Sequence, residues 1–156
     1  MRTPIRYAGG KSRAYDFISS YIPFWPRPKT IVSPFMGGGS LEVRWAHEMG
    51  INVIGYDVFW VLTNYWKHQI NNPQRLYDIL KGLEPTKEQY DDIKDILLHW
   101  DKVQELFKNW KTDHYDRKPQ PLDDDLGAAY YWFNHNLSYG PMFLGWFSSI
   151  YLKKDS

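Results

Sequence analysis

Apolar positions follow two different periods along this chain. Residues 30–33 (Thr-Ile-Val-Ser) and 51–56 (Ile-Asn-Val-Ile-Gly-Tyr) are short runs rich in β-branched side chains, which predicts strands. Between them Leu41, Trp45 and Ala46/Met49 recur every three or four positions. That spacing predicts a helix with Ser40 as N-cap and Gly50 at C′. Upstream, Tyr15, Phe17/Ile18 and Tyr21/Ile22 predict a helix from Ser12 to about Tyr21, and Pro23, Pro26 and Pro28 forbid regular structure after it. Beyond residue 57 the pattern reads helical. One helix is expected from Val58 to about Gln69, and another opens at Asn72-Pro73 and stops at Gly82. A capping box at Thr86 and Gln89 leads a long stripe of Tyr90, Ile93, Leu97, Trp100, Val103, Phe107 and Trp110, read as one helix over 86–111. Residues 112–122 read as a loop. A last helix runs from Asp123-Asp124-Asp125 to about Phe133, and Asn134 to Pro141 leave it as a polar, aromatic loop that continues through Gly145-Trp146-Phe147.

The joint between the first strand and its helix is Pro34-Phe35-Met36-Gly37-Gly38-Gly39-Ser40. Three successive glycines let the backbone turn through φ > 0 and let a ligand approach the main chain. The second strand ends on Asp57, about twenty residues past the loop, where a nucleotide-binding β-α-β unit carries its ribose-binding carboxylate. The same Asp57 is equally placed to cap the next helix. Two parallel strands do not make a stable sheet, and nothing after Asp57 supplies a third. The chain therefore reads as α/β, with an incomplete doubly wound sheet and an open strand edge that invites pairing with another chain. Residues 1–70 are expected to form the nucleotide-binding half and 71–156 a mainly helical lobe.

Charge adds a direction to this picture. Residues 1–29 hold six basic side chains (Arg2, Arg6, Lys11, Arg13, Arg27, Lys29) against Asp16 alone, whereas 84–125 hold twelve acids and seven bases. A polyanion would meet the N-terminal part and avoid the middle. With no cysteine, five scattered histidines and no long apolar run, the expectation is a cytoplasmic protein without disulfides, metal or membrane span. The three carboxylates at 123–125 are explained by the preference of acids for a helix N-terminus. Gly9-Gly10-Lys11-Ser12 is not a phosphate loop, because Ile5 stands where that motif needs glycine, and Gly37-Gly38-Gly39 does not fit the Gly-x-Gly-x-x-Gly pattern of NAD-binding modules.

Three stretches taken together, Tyr7-Ala8-Gly9-Gly10-Lys11, Pro34-Phe35-Met36-Gly37-Gly38-Gly39-Ser40, and Tyr56-Asp57 followed by Leu62-x-x-Tyr65, resemble the N-terminal motifs of Dam-type (D12 class) DNA adenine-N6 methyltransferases. The resemblance implies a Rossmann-like methyltransferase sheet with a helical recognition lobe, and S-adenosyl-L-methionine as cofactor. It puts Tyr7, Ala8, Gly9 and Lys11 near the methionine end, Phe35, Gly37 and Gly39 around the cofactor, and Asp57 on the ribose hydroxyls. Lys11 is equally suited to an acid or a DNA phosphate. Double-stranded DNA is the implied partner, with Arg6, Asn134, Asn136 and Tyr139 as candidate contacts. Asn suits adenine edges and Tyr stacks, although all of 134–139 also fits loop-capping roles.

Two departures shape the functional expectation. The family transfers methyl to an adenine amine with an Asp-Pro-Pro-Tyr tetrapeptide after a later strand. There, acceptors draw on the N–H groups of an amine whose lone pair is delocalised, and an aromatic stacks on the flipped base. This sequence has no Pro-Pro pair, and it ends before the place of that motif. Gly145-x-Phe147-Ser148 resembles part of the family's Gly-x-Phe-Asn turn, but Gly140 and Met142 replace the Arg and Asn found upstream of it in some relatives. No catalytic residue is assigned. The expectation is a subunit of a split methyltransferase, inactive alone, whose second polypeptide carries an Asp-Pro-Pro-Tyr-like motif. The competing expectation is a non-catalytic cofactor- or DNA-binding regulatory subunit.

Overall fold

A computed structural model describes residues 1–111 and 117–151. Their contacts divide the chain into two compact units, Met1–Phe59 and Trp60–Ser156. The helix that follows Asp57 thus packs with the C-terminal unit.

The first unit is a β-α-β arrangement. Strands β1 (Thr30–Ser33) and β2 (Asn52–Gly55) are parallel, in a register that pairs Ile31 with Val53 and Val32 with Ile54. Helix α2 (Glu42–Met49) joins them, preceded by the short α1 (Tyr15–Ser19). Leu41, Trp45 and Tyr15 form the core, with Ile31, Val53, Ile18, Ile22 and Met49 packed against it. Trp45 Nε1 donates to Ser19 Oγ at 2.9 Å, and the Arg44 guanidinium lies 3.5 Å from the Tyr15 ring centre. Gly50 ends α2 in the left-handed conformation (φ +64°), as its position after the apolar stripe predicted. Two boundaries differ from expectation. Residues 12–14 form a 3₁₀ turn, so the first α-helix is only five residues long. Ser40 does not cap α2, because its Oγ accepts a hydrogen bond from the Lys11 N–H at 3.0 Å.

The described residues cover only one face of this sheet. Ile31 and Val53 turn inward, while on the other face Val32 is 59% and Ile54 41% exposed. The carbonyls of Lys29, just before β1, and of Ser33, at its end, accept from the Asn52 and Tyr56 N–H groups. Parallel pairing alternates, so the N–H and C=O of Val32 point to the open edge. Among the described residues no further strand joins the sheet.

The second unit is helical: α3 (Trp60–Asn71), α4 (Pro73–Leu80), α5 (Lys87–His99), α6 (Asp101–Asn109) and α7 (Asp124–Leu137). Helix α7 is its axis and packs against α3, α4 and α5. Small buried residues, Gly127, Ala128 and Ala129, allow the close approach, and Tyr131 beside them stacks obliquely on Tyr65. Asn72 and Thr86 cap α4 and α5 by accepting from the Arg75 and Gln89 N–H groups, as expected. Among the described residues no helix is long and apolar enough to cross a membrane.

Three readings of this unit need correction. Helix α3 starts at Trp60, because Asp57 Oδ1 takes the Phe59 N–H at 3.0 Å and holds residues 57–59 in a turn. The long stripe of 86–111 is two helices, since Trp100 is extended (φ −58°, ψ 122°) and its neighbours pair with Gln120. The stripe itself holds: Tyr90, Ile93, Leu97, Trp100 and Val103 are buried, so its spacing reported burial and not continuity. Finally, α7 runs on to Leu137, past the expected end at Phe133. Of the loop expected over 112–122, residues 112–116 lie outside the described residues.

Gly127 is required by Trp100. A Cβ at Gly127 would stand 2.2 Å from the indole Cη2 of this fully buried side chain. Gly127→Ala should therefore destabilise by about 1–3 kcal/mol despite better helix propensity. A lower urea midpoint with an unchanged m-value is the expected result.

Candidate cofactor site

The glycine loop is folded by contacts that its own sequence demands. Gly37 (φ +53°) and Gly39 (φ +68°) occupy the left-handed region, where a side chain would be strained. Met36 N–H donates to Tyr56 O at 2.9 Å and Gly39 N–H to Met36 O at 3.0 Å. The Gly37 N–H donates to Asp57 Oδ2, also at 3.0 Å. Both oxygens of Asp57 therefore hold backbone, one at the loop after β1 and one at the turn after β2. Each keeps a further lone-pair direction, since a carboxylate accepts about four hydrogen bonds. The two readings of Asp57 are thus compatible: it orders the chain locally and still presents acceptors beside the loop.

The N-terminal segment lies over this loop. The Thr3 hydroxyl donates to Gly38 O, Ile5 is buried, and Lys11 N–H reaches Ser40. Tyr7 packs so tightly that a Cβ on Gly38 would fall 2.5 Å from the Tyr7 Cβ. Burial, and secondarily the negative charge of Asp57, raise the Tyr7 hydroxyl above the usual tyrosine range. Tyr7, Gly37, Gly39 and Asp57 are thus brought together. Ala8, Gly9, Lys11 and Phe35 are exposed around them. A cleft of about 470 Å³ opens beside Tyr7, Gly38, Ser40 and Arg44, but Asp57 and Phe35 do not line it. This cleft and the predicted set share only Tyr7; within the set Gly39 is buried, and Tyr7, Gly37 and Asp57 are half-buried.

Sequence reasoning missed Glu42 and Ser33. Glu42 opens α2 yet is buried, and its Oε1 accepts from the Ser33 hydroxyl at the end of β1. Its signal was an acid directly beside the apolar positions of the stripe, at the end of the loop.

The candidate DNA contacts separate into two groups. Asn134 is fully buried, its Oδ1 accepting the Leu144 N–H at 2.7 Å; Asn136 is buried and donates to Trp132 O. Both belong to α7 and are turned inward: Asn134 holds the following loop, and Asn136 bonds back within the helix. Arg6 and Tyr139 are exposed. The loop that carries Tyr139 is well built. Tyr139 N–H donates to Trp146 O, Ser148 N–H to Leu137 O, and Met142 N–H to Ser138 Oγ. Tyr90 and Lys94 both donate to Gly145 O. It presents Tyr139, Met142 and an 83% exposed Trp146, the last two unmarked by any motif. At 123–125, Asp124 pairs with Lys102 and Asp125 with Arg75. Among the described residues no cluster is placed to hold a metal ion.

Replacing Asp57 by Ala would leave two backbone donors without their acceptors, a loss of about 1–3 kcal/mol locally. Amide hydrogen exchange should speed up at Gly37 and Phe59 and stay unchanged in α5 and α7. Equal acceleration everywhere would argue against a local role. The loop held at Gly145 has a pH signature. Burial pushes the Tyr90 hydroxyl from the ordinary value of 10.0 up to about 12, against a smaller opposing effect of Asn134. A raised folded pKa contributes stability that is complete below pH 10 and is lost as pH rises towards 12. Melting temperature should fall over that interval, and Tyr90→Phe should flatten the fall.

The family model for D12 class N6 adenine-specific DNA methyltransferases matches residues 7–140, from Tyr7 at the glycine loop to Gly140 beyond the exposed Tyr139. No curated protein sequence matches the chain. With a match over most of its length, the chain belongs to the D12 class of adenine-specific DNA methyltransferases.

Proposed function

We propose that this chain is one half of a split DNA adenine-N6 methyltransferase, supplying the S-adenosyl-L-methionine site and part of the DNA surface. The observation that carries the reading is the Asp57 carboxylate, locked onto the Gly37 N–H at the joint of β1 and β2, with Tyr7 laid over the loop. The donor set fits the cofactor: acceptors for two adjacent ribose hydroxyls at Asp57, a glycine loop without side chains at Gly37 to Gly39, and a half-buried ring at Tyr7. When bound, S-adenosyl-L-methionine supplies a methyl group on a sulfonium centre. The residues of this chain bind and orient it: Asp57 takes the ribose, Phe35 lies against the nucleoside, and Lys11 stands at the methionine end. Arg6 contacts the phosphate backbone of double-stranded DNA, and Tyr139 with its loop neighbours Met142 and Trp146 meets the duplex.

The acceptors that draw on the adenine N–H groups come, in this proposal, from a second polypeptide with an Asp-Pro-Pro-Tyr-type element. Two facts support it. The 156 residues contain no Pro-Pro pair, and β1 keeps an open edge with apolar residues exposed beside it. A strand paired on that edge would end next to the glycine loop, where a doubly wound sheet binds its ligand.

Purification of the tagged chain from its native source tests the proposal. The expected eluate contains a second polypeptide carrying the tetrapeptide and transfers labelled methyl from S-adenosyl-L-methionine to DNA adenine. Asp57→Ala should abolish transfer. Val32→Pro removes the outward N–H of β1 without touching the β1–β2 hydrogen bonds and should release the partner. Recovery of the motif on the same polypeptide would refute the split arrangement. A partner that is already a complete enzyme would favour the regulatory-subunit reading instead.

A further inference from the structure

Glu42 is the first residue of α2 and is only 6% exposed. One of its oxygens accepts from the neutral Ser33 hydroxyl. Among the described residues no cation pairs with it. Withdrawing a carboxylate from water has an effective penalty of several kcal/mol unless charge compensates it. The positive end of α2 returns up to about 2 kcal/mol of that. The Ser33 hydrogen bond returns a further part, since a hydroxyl bonds a carboxylate more strongly than a neutral carbonyl, but it brings no opposite charge. Glu42 is thus a buried acid with no cation of its own among the described residues, and one arriving from outside the fold would complete its compensation.

Its position says which cation. Ser33 is the last residue of β1 and leads into the glycine loop. Ser40, two residues before Glu42, is bonded to the backbone of Lys11. Glu42 thus sits where the end of β1, the loop exit and the N-terminal segment meet. A zwitterionic amino-acid group needs one partner of each sign there. Lys11 supplies the positive one.

We propose that Glu42 receives the α-ammonium group at the methionine end of the cofactor. This rests on the cofactor reading above and adds a residue to it. Glu42 then selects for ligands that carry the amino-acid moiety, whereas Asp57 selects for the ribose.

Binding calorimetry on the full chain, with any co-purified partner, separates the roles. S-adenosylhomocysteine carries the ammonium group; 5′-methylthioadenosine has the same thioether nucleoside without it. Glu42→Gln is nearly isosteric and should lose about tenfold or more in affinity for S-adenosylhomocysteine, as expected for a charge-assisted hydrogen bond. Its affinity for 5′-methylthioadenosine should stay unchanged. Glu42→Asp keeps the charge and should recover part of the preference. Equal losses for both ligands would mean that Glu42 merely braces the loop, and no loss for either would exclude the contact; both outcomes overturn the proposal. A wild-type chain that binds neither compound would instead sink the cofactor reading itself.

Discussion

The hydrogen bond from the Gly37 N–H to the Asp57 carboxylate ties together the two strand ends on which this unit depends. It joins the loop after β1 to the turn after β2, and the other Asp57 oxygen closes that turn on Phe59. The backbone can meet the carboxylate because Gly37 adopts a positive φ, and Tyr7 can lie on the loop because Gly38 has no side chain. Removing the Cβ atoms makes the loop weak by itself. Long-range contacts from Thr3, Tyr7 and Asp57 supply the order that local sequence does not. A loop made this way is preorganised by residues far apart in the chain.

Legibility followed the range of the interaction. The strands at 30–33 and 52–55, the Gly50 stop, and the Asn72 and Thr86 caps depend on neighbours within a few residues, and the sequence shows them directly. The break at Trp100 was invisible, because the apolar stripe continues through it and the interruption comes from Gln120, twenty residues on. Ser40 resembled an N-cap by type and place, yet it serves the Lys11 backbone. Asn134 and Asn136 looked like polar loop residues because polarity was taken to mean solvent. Their positions three and one residues before the end of α7 instead let Asn134 hold the Leu144 backbone and Asn136 return a bond to Trp132. A buried amide that organises a loop and an exposed one that reads a base carry the same letter.

The same ambiguity affected the acids. Asp123, Asp124 and Asp125 form the densest acidic cluster in the sequence, and two of them are spent on surface pairs with Lys102 and Arg75. Exposed pairs of this kind contribute little to stability, and they draw no ligand once satisfied. Glu42 stands alone in sequence, at the edge of an otherwise apolar stripe, and among the described residues is the acid that the fold hides. What distinguishes it is the mismatch between its charge and its surroundings.

The half-covered sheet follows from the same physics. Parallel strands owe their stability to apolar cover on both faces. Here α2 and α1 cover one face, and Val32 and Ile54 leave the other open to water. An edge with free donors and acceptors beside an apolar face also pairs indiscriminately unless a specific element occupies it. The edge in question ends at the glycine loop, so a parallel strand paired there would bring its own C-terminal residues to that loop. In the proposed split enzyme, completing the sheet and completing the active site are one structural event. A chain that binds cofactor on one side of that edge and takes its catalytic acceptors from the other would gain activity only on assembly, with Asp57 already in place on the near side.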